Sequence, residues 1–280
     1  MGFPMAGHLS RAGHDVTVYN RTAQKAQKWL SLFKGRAAAT PALAAQDADI
    51  VFACVGNDND LRSVILGETG ALAGMREGAV FVDHTTDSAL VAREMATVLE
   101  AHGMRFIDAP VSGGQAGAEN GVLTVMAGGD ADTFTTIEPV LSAYAATVTH
   151  MGEVGTGQLT KMCNQVCIAG AVQGISEALA FAQNAGLDTD KVIRAVSGGS
   201  GSSWQLVNRG KTMVEERFDF GFAVDWMRKD LGIVLEEAKR NGSEMPTTAL
   251  IDRFYADIQA IGGARWDTSS LIMRLPRKKK

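Results

Sequence analysis

The fold is indicated first by the stretch Ala48-Asp49-Ile50-Val51-Phe52-Ala53-Cys54-Val55, a short and nearly continuous apolar run. Such a run is typical of a strand in a sheet that is covered on both faces. Five further strands are predicted, at residues 16–19, 79–83, 104–108, 123–127 and 146–150. Helical patterns at residues 22–33, 88–102 and 131–144 separate several of them. Strands that alternate with helices predict βαβ units and a parallel sheet.

The second half of the chain has a different pattern. Residues 157–186 are rich in Ala, Leu, Ile and Gln and contain no Pro, which predicts one long helix. Further helices are predicted at residues 190–196, 224–241 and 247–261, without strand patterns. We therefore expect an α/β fold in which residues 1–152 form a Rossmann-like, mostly parallel sheet domain. Residues 153–280 would form an all-helical domain for substrate binding and association, joined to the first by the long helix.

Composition excludes several classes of protein. The 280 residues carry a formal net charge of −4, which does not favour a general nucleic-acid surface. The three cysteines, Cys54, Cys163 and Cys167, are an odd set with no histidine pair beside them, so we expect reduced thiols and no metal site. We see no segment of membrane-spanning length and no signal peptide. The expected location is the cytoplasm, without a membrane or nucleic-acid partner.

The first residues look like the second half of a dinucleotide-binding turn. Such a turn carries the pattern G-x-G-x-x-G between a first strand and a helix, so that a pyrophosphate can approach the backbone. In Met1-Gly2-Phe3-Pro4 only the last glycine of that pattern, Gly2, is present. We expect the first strand and the first two glycines to lie upstream of the sequence as written. A second interpretation is an ordinary helix start, since a proline is common there.

The strand at residues 16–19 is followed by Asn20, Arg21 and Thr22. In a Rossmann unit, the residue that ends this strand faces the adenosine ribose, and an acidic side chain there binds a free 2′-hydroxyl. This chain has no acid at that position, and Arg21 with its neighbours could hold a 2′-phosphate by charge-assisted hydrogen bonds. The pattern favours NADP over NAD. A helix start with Thr22 as N-cap is a second interpretation, and both can hold.

Two further segments offer polar groups for a substrate. Ser112, Gly113 and Gly114 follow a predicted strand, and their hydroxyl and backbone N–H groups suit a carboxylate; a simple turn explains the glycines equally well. Lys161 is followed at i+3 and i+4 by Asn164 and Gln165, which share one helical face. Burial would make this lysine fit for proton transfer. The competing interpretation is a lysine that reaches solvent from a domain interface.

Three weaker features lie elsewhere. Lys229 could contact cofactor or substrate with Asp230 beside it, or the pair could form an exposed charged turn. Residues 197–203 are a Gly- and Ser-rich connection that ends in Trp204, which could line a substrate pocket or only join two helices. Residues 58–60 could border a cofactor or cap a helix.

Four blocks of the chain resemble the β-hydroxyacid dehydrogenase family, which includes 3-hydroxyisobutyrate dehydrogenase and tartronate semialdehyde reductase. The blocks occur in order, at residues 1–6 with 12–14, 108–114, 157–164 and 229–231. Asn20-Arg21-Thr22 is similar to a common form of the second-strand end. The pair Asn164-Gln165 is similar to the tartronate semialdehyde reductase branch. The resemblance covers nearly the whole chain.

This resemblance implies an NAD(P)-dependent enzyme that interconverts a small 3-hydroxy acid and its 3-oxo partner. Lys161 would be the general acid/base, and the substrate would be bound by Ser112, Gly113, Gly114, Asn164, Gln165 and Trp204. The cofactor would be bound by Met1, Gly2, Asn20, Arg21, Thr22, Val55, Gly56, Thr86 and Lys229. Family members usually associate through the helical domain, so a homodimer or homotetramer is expected. An imine reductase on the same fold and a non-catalytic scaffold are the alternatives.

Overall fold

The computed structural model describes residues 1–278, and these fall into two compact units, residues 1–161 and residues 162–278. The first unit contains α1 (Gly2–Arg11), β1 (Thr17–Val18), α2 (Ala23–Leu30), β2 (Arg36–Ala37), α3 (Pro41–Ala45), β3 (Ile50–Ala53), α4 (Asp58–Leu66), β4 (Val80–Asp83), α5 (Ala89–Glu100), β5 (Arg105–Asp108), β6 (Val111–Ser112), α6 (Gly114–Asn120), β7 (Leu123–Gly129), α7 (Ala131–Leu141) and β8 (Ala145–Gly152). The helix α8 (Thr156–Asn184) begins in this unit. The second unit continues with α9 (Thr189–Ser197), α10 (Trp204–Val214), α11 (Val224–Asn241), α12 (Pro246–Ala260) and a 3-10 segment (Thr268–Arg274). The predicted fold class is confirmed.

The strands of the first unit form two sheets. The strands β1 and β2 make a parallel pair, and the other six follow the order β3-β4-β5-β7-β6 with β8 beside β7. Pairing is parallel from β3 to β5 and between β7 and β8, and antiparallel where β7 meets β5 and β6. In the part of the chain that the structure describes, no strand connects β1 to β3. The sheet is therefore mostly parallel, as predicted, but it is divided.

The central strands bury side chains on both faces, as their apolar sequences predict. In β4, Val80 and Val82 belong to one buried cluster and Phe81 to another. In β5, Phe106 and Ile107 divide in the same way. Because successive strand residues point to opposite faces, these two clusters lie on opposite sides of the sheet. One contains residues of α1 and α7, and the other contains residues of α4 and α5. Helices on both sides thus hold the strand ends in fixed positions.

The long helix α8 corrects the expectation that the chain contains no segment of membrane-spanning length. By length and composition alone its 29 residues qualify as a membrane span, with a mean hydropathy of 1.3 over 18 of them, whereas no segment of membrane-spanning length was expected from the sequence. Half of that window is buried inside the structure. Ala169 and Val172 pack in a cluster with α11 and α12, and Ile175 and Leu179 pack with Leu206 of α10. The apolar side chains of α8 therefore form the core of the helical unit.

Candidate active site

The parallel strands β3, β4 and β5 bring three loops to one edge of the sheet. The loops follow Ala53, Asp83 and Asp108, and backbone hydrogen bonds continue between them: His84 N donates to Ala53 O at 2.8 Å, and Ala109 N donates to Asp83 O at 2.7 Å. In open α/β sheets, ligands bind outside these carboxyl ends. This edge is the candidate site of the first unit.

The start of α1 lies beside the end of β3. A Cβ atom built on Gly2 would be 3.4 Å from the Cβ of Cys54, so glycine permits a close approach. The helix has no side-chain cap and no acidic residue in its first turn, which leaves its N-terminal dipole available to an anion. Met1 occupies the N-cap position and is exposed. These features fit the pyrophosphate of a dinucleotide.

The loops after β3 and β4 are joined next to that helix start. Val55 N donates to the hydroxyl of Thr85 at 3.1 Å, which brings Val55 and Gly56 to the loop that carries Thr86. The predicted cofactor residues of these two loops are thus brought together. Thr86 itself is half-buried.

The Arg21 side chain is 87% exposed, and its guanidinium lies 3.5 Å from the carboxylate of Asp60. Thr22 occupies the N-cap position of α2, but its side chain makes no capping hydrogen bond; the Asn20 side chain accepts from Thr22 N at 2.9 Å instead. The guanidinium therefore remains accessible to an anion.

The acidic residues after β3 have structural partners. Asn57 is the N-cap of α4 and accepts from Asp60 N at 3.0 Å. Asp58 accepts from both the backbone N–H and the hydroxyl of Ser88, at 3.0 and 2.6 Å. The capping group is therefore the residue before the predicted segment 58–60, and Asp58 connects α4 to the start of α5.

Lys161 is buried, with 6% of its surface exposed. Its ammonium group donates to the carbonyl of Val111 at 2.9 Å, and Val111 is the residue before Ser112. The structure thus places Lys161 next to the predicted carboxylate-binding segment, although Lys161 and Val111 are 50 positions apart in the sequence. The interpretation as a lysine that reaches solvent is wrong for this side chain.

Both glycines after Ser112 adopt positive φ angles, 125° at Gly113 and 62° at Gly114. Residues with a side chain rarely adopt such angles, so glycine is needed here for conformation. A Cβ atom on Gly114 would meet nothing within 4 Å, and both glycines are exposed. Ser112 is half-buried. The segment therefore presents open backbone to a ligand beside the Lys161 ammonium group.

The first turn of α8 is held by Asp108, which is fully buried. Its two carboxylate oxygens accept from Gly155 N at 2.7 Å and Gln158 N at 2.8 Å. Burial raises the pKa of the Asp108 carboxyl to about 7, and the two N–H donors oppose that rise. The Gln158 side chain, also fully buried, donates to Thr85 O at 2.7 Å and accepts from Asp87 N at 3.2 Å.

A buried histidine joins the loops after β4 and β5. His84 Nδ1 lies 2.5 Å from the carbonyl of Ala109, and Nε2 lies 2.8 Å from the Tyr144 hydroxyl. Because a carbonyl only accepts, Nδ1 carries the proton and Nε2 accepts from Tyr144. Burial lowers the pKa of His84 to about 4 and raises the pKa of Tyr144 well above its ordinary value. His84 is therefore neutral at pH 7.

The second unit holds the remaining predicted residues. Asn164 donates to the Gln165 side chain at 2.7 Å, and Gln165 donates to the buried Asp230 carboxylate at 2.6 Å. Lys229 lies 3.0 Å from the other carboxylate oxygen of Asp230. Lys229 and Gln165 thus both contact Asp230, and Asn164 contacts Gln165. Trp204 is exposed at the start of α10 and stacks with Arg209 of the same helix.

Three buried groups of the first unit, His84, Asp108 and Gln158, have no role predicted from the sequence. Asp108 and His84 carried one available signal, a polar residue at or just after the end of an apolar strand. Their partners lie 25 to 73 positions away and cannot be read from local spacing.

Comparison with known proteins covers the whole length of the chain. Residues 1–152 match the model of the NAD-binding domain of 6-phosphogluconate dehydrogenase, and residues 155–275 match that of the NAD-binding domain of NADP-dependent 3-hydroxyisobutyrate dehydrogenase. An uncharacterized oxidoreductase of Shewanella frigidimarina is 61% identical, over 100% of this chain and 96% of the relative. A probable 3-hydroxyisobutyrate dehydrogenase-like protein of Arabidopsis thaliana is 40% identical, over 99% and 83%. The structure of Mycobacterium tuberculosis 3-hydroxyisobutyrate dehydrogenase with L-serine superposes with a TM-score of 0.87 at 30% identity, covering 98% of this chain and 95% of that one.

The divided Rossmann-like sheet, the uncapped helix start at its edge and the two matched domain models define an NAD(P)-dependent oxidoreductase. The relatives that match along its full length include hydroxyacid dehydrogenases. The chain belongs to the β-hydroxyacid dehydrogenase family, the family of 3-hydroxyisobutyrate dehydrogenase. The resemblance seen in its sequence motifs is confirmed.

Proposed function

We propose that this protein interconverts a small 3-hydroxy acid and its semialdehyde or 3-oxo partner, with NADP(H) preferred to NAD(H) and Lys161 as the general acid/base. The observation that carries the proposal is the position of the Lys161 ammonium group. It is buried and held 2.9 Å from Val111 O, beside Ser112, Gly113 and Gly114. A proton-transfer group and an open carboxylate-binding backbone thus adjoin one another.

The substrate carboxylate would be bound by the Ser112 hydroxyl and the backbone N–H groups of Gly113 and Gly114. Support comes from the positive φ angles of the two glycines and from the open space at Gly114. Asn164 and Gln165, one helical turn beyond Lys161, would hydrogen-bond the substrate from the next turn. Trp204 as a wall of the substrate pocket stays a prediction.

The cofactor would lie along the strand ends of the first unit. Met1 and Gly2 would adjoin the pyrophosphate, Asn20, Arg21 and Thr22 the 2′-phosphate, and Val55, Gly56 and Thr86 the path to the nicotinamide; Lys229 would contact cofactor or substrate. The bound nicotinamide supplies or accepts the hydride. The guanidinium of Arg21 supports NADP because it is exposed and could bind the 2′-phosphate. The end of β1 carries Asn20, Arg21 and Thr22, without the acidic side chain that would bind a free 2′-hydroxyl of NAD.

Lys161 would hold and move the proton at the substrate oxygen. In reduction, Nζ donates a proton to the carbonyl oxygen that becomes the hydroxyl; in oxidation, it accepts that proton back. Burial of the side chain excludes water from this step, and the Val111 carbonyl fixes the direction of Nζ. Positioning and acid/base catalysis would both contribute to the rate.

The test is the variant Lys161→Ala, assayed with NADP+ on 3-hydroxyisobutyrate, 3-hydroxypropionate, serine and glycerate. We expect kcat to fall at least about 100-fold, because positioned proton transfer contributes that much or more. The dissociation constant for NADPH should change little, since Lys161 is assigned to the substrate oxygen. The matched control is Lys239→Ala, an exposed lysine on α11 paired with Glu236, which should retain full activity.

Three outcomes would contradict parts of this proposal. Near-normal turnover in Lys161→Ala would remove the role of that residue. Reduction of cyclic imines without activity on hydroxy acids would indicate an imine reductase. Absence of NADPH and NADH binding would indicate a non-catalytic scaffold. The expected homodimer or homotetramer is checked separately by light scattering.

A further inference from the structure

The side chain of Gln158 holds both sides of one residue in the cofactor loop. Its Nε2 donates to Thr85 O at 2.7 Å, and its Oε1 accepts from Asp87 N at 3.2 Å. The residue between these two backbone groups is Thr86. A single buried amide therefore fixes the backbone on either side of Thr86, as a neighbouring strand would.

The same residue is anchored to the sheet through its own backbone. Gln158 N donates to the Asp108 carboxylate at 2.8 Å, in the first turn of α8. Lys161 is three residues further on, in the next turn of that helix, and its ammonium group is held by Val111. Gln158 thus connects the Thr86 loop to the helix that carries Lys161, by hydrogen bonds that are all buried.

We propose that Gln158 is a positioning residue that sets the distance between the hydride-transfer position at Thr86 and the proton-transfer atom Lys161 Nζ. The inference rests on the proposed function. Hydride and proton transfer need reacting atoms within a few tenths of an ångström of the productive geometry, and a shift of about 1 Å can cost about 100-fold in rate. A single buried side chain that is hydrogen-bonded at both ends of its amide would hold the Thr86 loop and α8 to that precision.

Only a neutral group with a donor end and an acceptor end satisfies both partners of this bridge. The N–H₂ end of the amide meets a carbonyl and the C=O end meets an N–H, so both groups are paired in the buried site. Methionine has nearly the same length but would leave Thr85 O and Asp87 N without this partner. An ionised glutamate would direct a second oxygen at Thr85 O. A protonated glutamic acid, in contrast, reproduces the donor and the acceptor of glutamine.

The first experiment measures amide hydrogen exchange in the cofactor-free protein, with the variants Gln158→Met and Gln173→Met. Gln173 is a matched control because it is also buried on α8, where it is bonded to Glu177. We expect exchange at Asp87 N to accelerate at least about tenfold in Gln158→Met, since that N–H loses its acceptor. Exchange there should be unchanged in Gln173→Met.

The second experiment measures turnover on the hydroxy acid that wild type uses best. In Gln158→Met we expect kcat to fall by about 10- to 100-fold with KM for the hydroxy acid nearly unchanged, because the carboxylate site is separate. The primary isotope effect with the hydroxy acid deuterated at the carbon that bears the hydroxyl should rise as hydride transfer becomes limiting. Gln173→Met should match wild type in both quantities.

The third experiment is the pH profile of Gln158→Glu relative to wild type. The titratable and charged groups around position 158 are Asp83, His84, Asp87, Arg93, Asp108 and Lys161. We expect activity relative to wild type to be highest at low pH, where the introduced carboxyl group is neutral, and to fall as that group ionises. Gln158→Met should show no such recovery.

Unchanged exchange at Asp87 N in Gln158→Met would overturn the proposal. So would loss of stability with normal kcat and a normal isotope effect, since that would make Gln158 structural only. If wild type itself oxidises no hydroxy acid, the proposed function fails and the positioning role fails with it. The exchange measurement then still decides whether Gln158 holds the Thr86 loop, so the two failures are distinguishable.

Discussion

His84 and Asp108 are buried at neighbouring strand ends, and burial moves their pKa values in opposite directions. The pKa of His84 falls to about 4, so its contribution to stability is present above its ordinary pKa of 6.5 and is lost as the pH falls towards 4. The pKa of Asp108 rises to about 7 from 3.8, so its contribution is present below pH 3.8 and is lost as the pH rises through 7. Between pH 4 and 7 the His84 contribution to stability therefore rises with pH while the Asp108 contribution falls, and the two changes offset each other.

The variant His84→Asn isolates the histidine contribution. Asparagine can still donate to Ala109 O but does not titrate, so the acid-induced loss of stability should disappear. We expect the free-energy cost of the substitution to be about 2 kcal/mol smaller at pH 5 than at pH 7. Urea unfolding at the two pH values measures this difference.

A control for that prediction is His102→Asn, since His102 is exposed in the turn after α5 and its ring nitrogen lies 2.8 Å from Val98 O of that helix. Its cost should be the same at both pH values. Equal costs at pH 5 and pH 7 for His84→Asn would show that the native protein binds a proton at His84 in the ordinary range.

At the scale of elements, α8 starts unusually close to the sheet. A Cβ atom on Gly157 would lie 2.4 Å from Met126 O, 2.6 Å from Asp108 O and 2.8 Å from the Asp108 carboxylate. Backbone atoms cannot yield in the way a flexible side chain can. The absence of a side chain at this position is therefore what allows Asp108 to bond to the first turn and Lys161 to reach Val111.

The variant Gly157→Ala should separate this helix start from the sheet. We expect the free energy of unfolding to fall by about 1–3 kcal/mol, as in other overpacked sites. We also expect kcat to fall at a temperature where the variant is still fully folded, because Lys161 moves with the helix. Thermal unfolding and steady-state kinetics of the purified variant measure the two effects.

The same helix provides the control, Gly170→Ala, where a Cβ atom would meet nothing within 4 Å. At this exposed position, alanine should stabilise the protein by up to about 1 kcal/mol through helix propensity. A Gly157→Ala protein as stable and active as wild type would contradict the close-packing argument.

At the scale of the whole molecule, cofactor binding should be coupled to folding. Apart from Lys229 on α11, the predicted NADP contacts come from α1, the end of β1 and the loops after β3 and β4, so they exist together only in the folded first unit. A ligand that binds only the folded state stabilises it by mass action. The shift in stability therefore reports binding without any assay of turnover.

NADPH at 100 times its dissociation constant should raise the free energy of unfolding by about 2.7 kcal/mol. In Arg21→Ala we expect the NADPH shift at that concentration to fall while the NADH shift stays, because only NADPH carries the 2′-phosphate. Denaturant unfolding with each nucleotide checks this.

The control for cofactor preference is Arg36→Ala, a surface arginine paired with Asp15. It should leave both nucleotide shifts unchanged. Equal losses of the NADPH and NADH shifts in Arg21→Ala would contradict a specific role for the guanidinium at the 2′-phosphate.

Much of the fold could be predicted because its elements have local signals. All six predicted strands are present, and the helix predicted at residues 224–241 appears with those bounds. The strands β2 and β6 were missed because two residues show no periodicity. The helices α3, α6 and α10 were also missed, and α4 was indicated only by a possible cap at residues 58–60; α3 and α6 are only five and seven residues long, too short for an apolar stripe to repeat.

Composition and local spacing were enough to predict the alternation of strands and helices, the all-helical second half and the candidates Ser112, Gly113, Gly114 and Lys161. Which groups meet depends on the packing of the folded chain: Lys161 with Val111, His84 with Tyr144 and Gln158 with Thr85, at separations of 50 to 73 positions. Side-chain periodicity shows which face of an element is buried, but not which element covers it. A buried polar group finds its partner only when packing has brought distant strand ends and helix starts together.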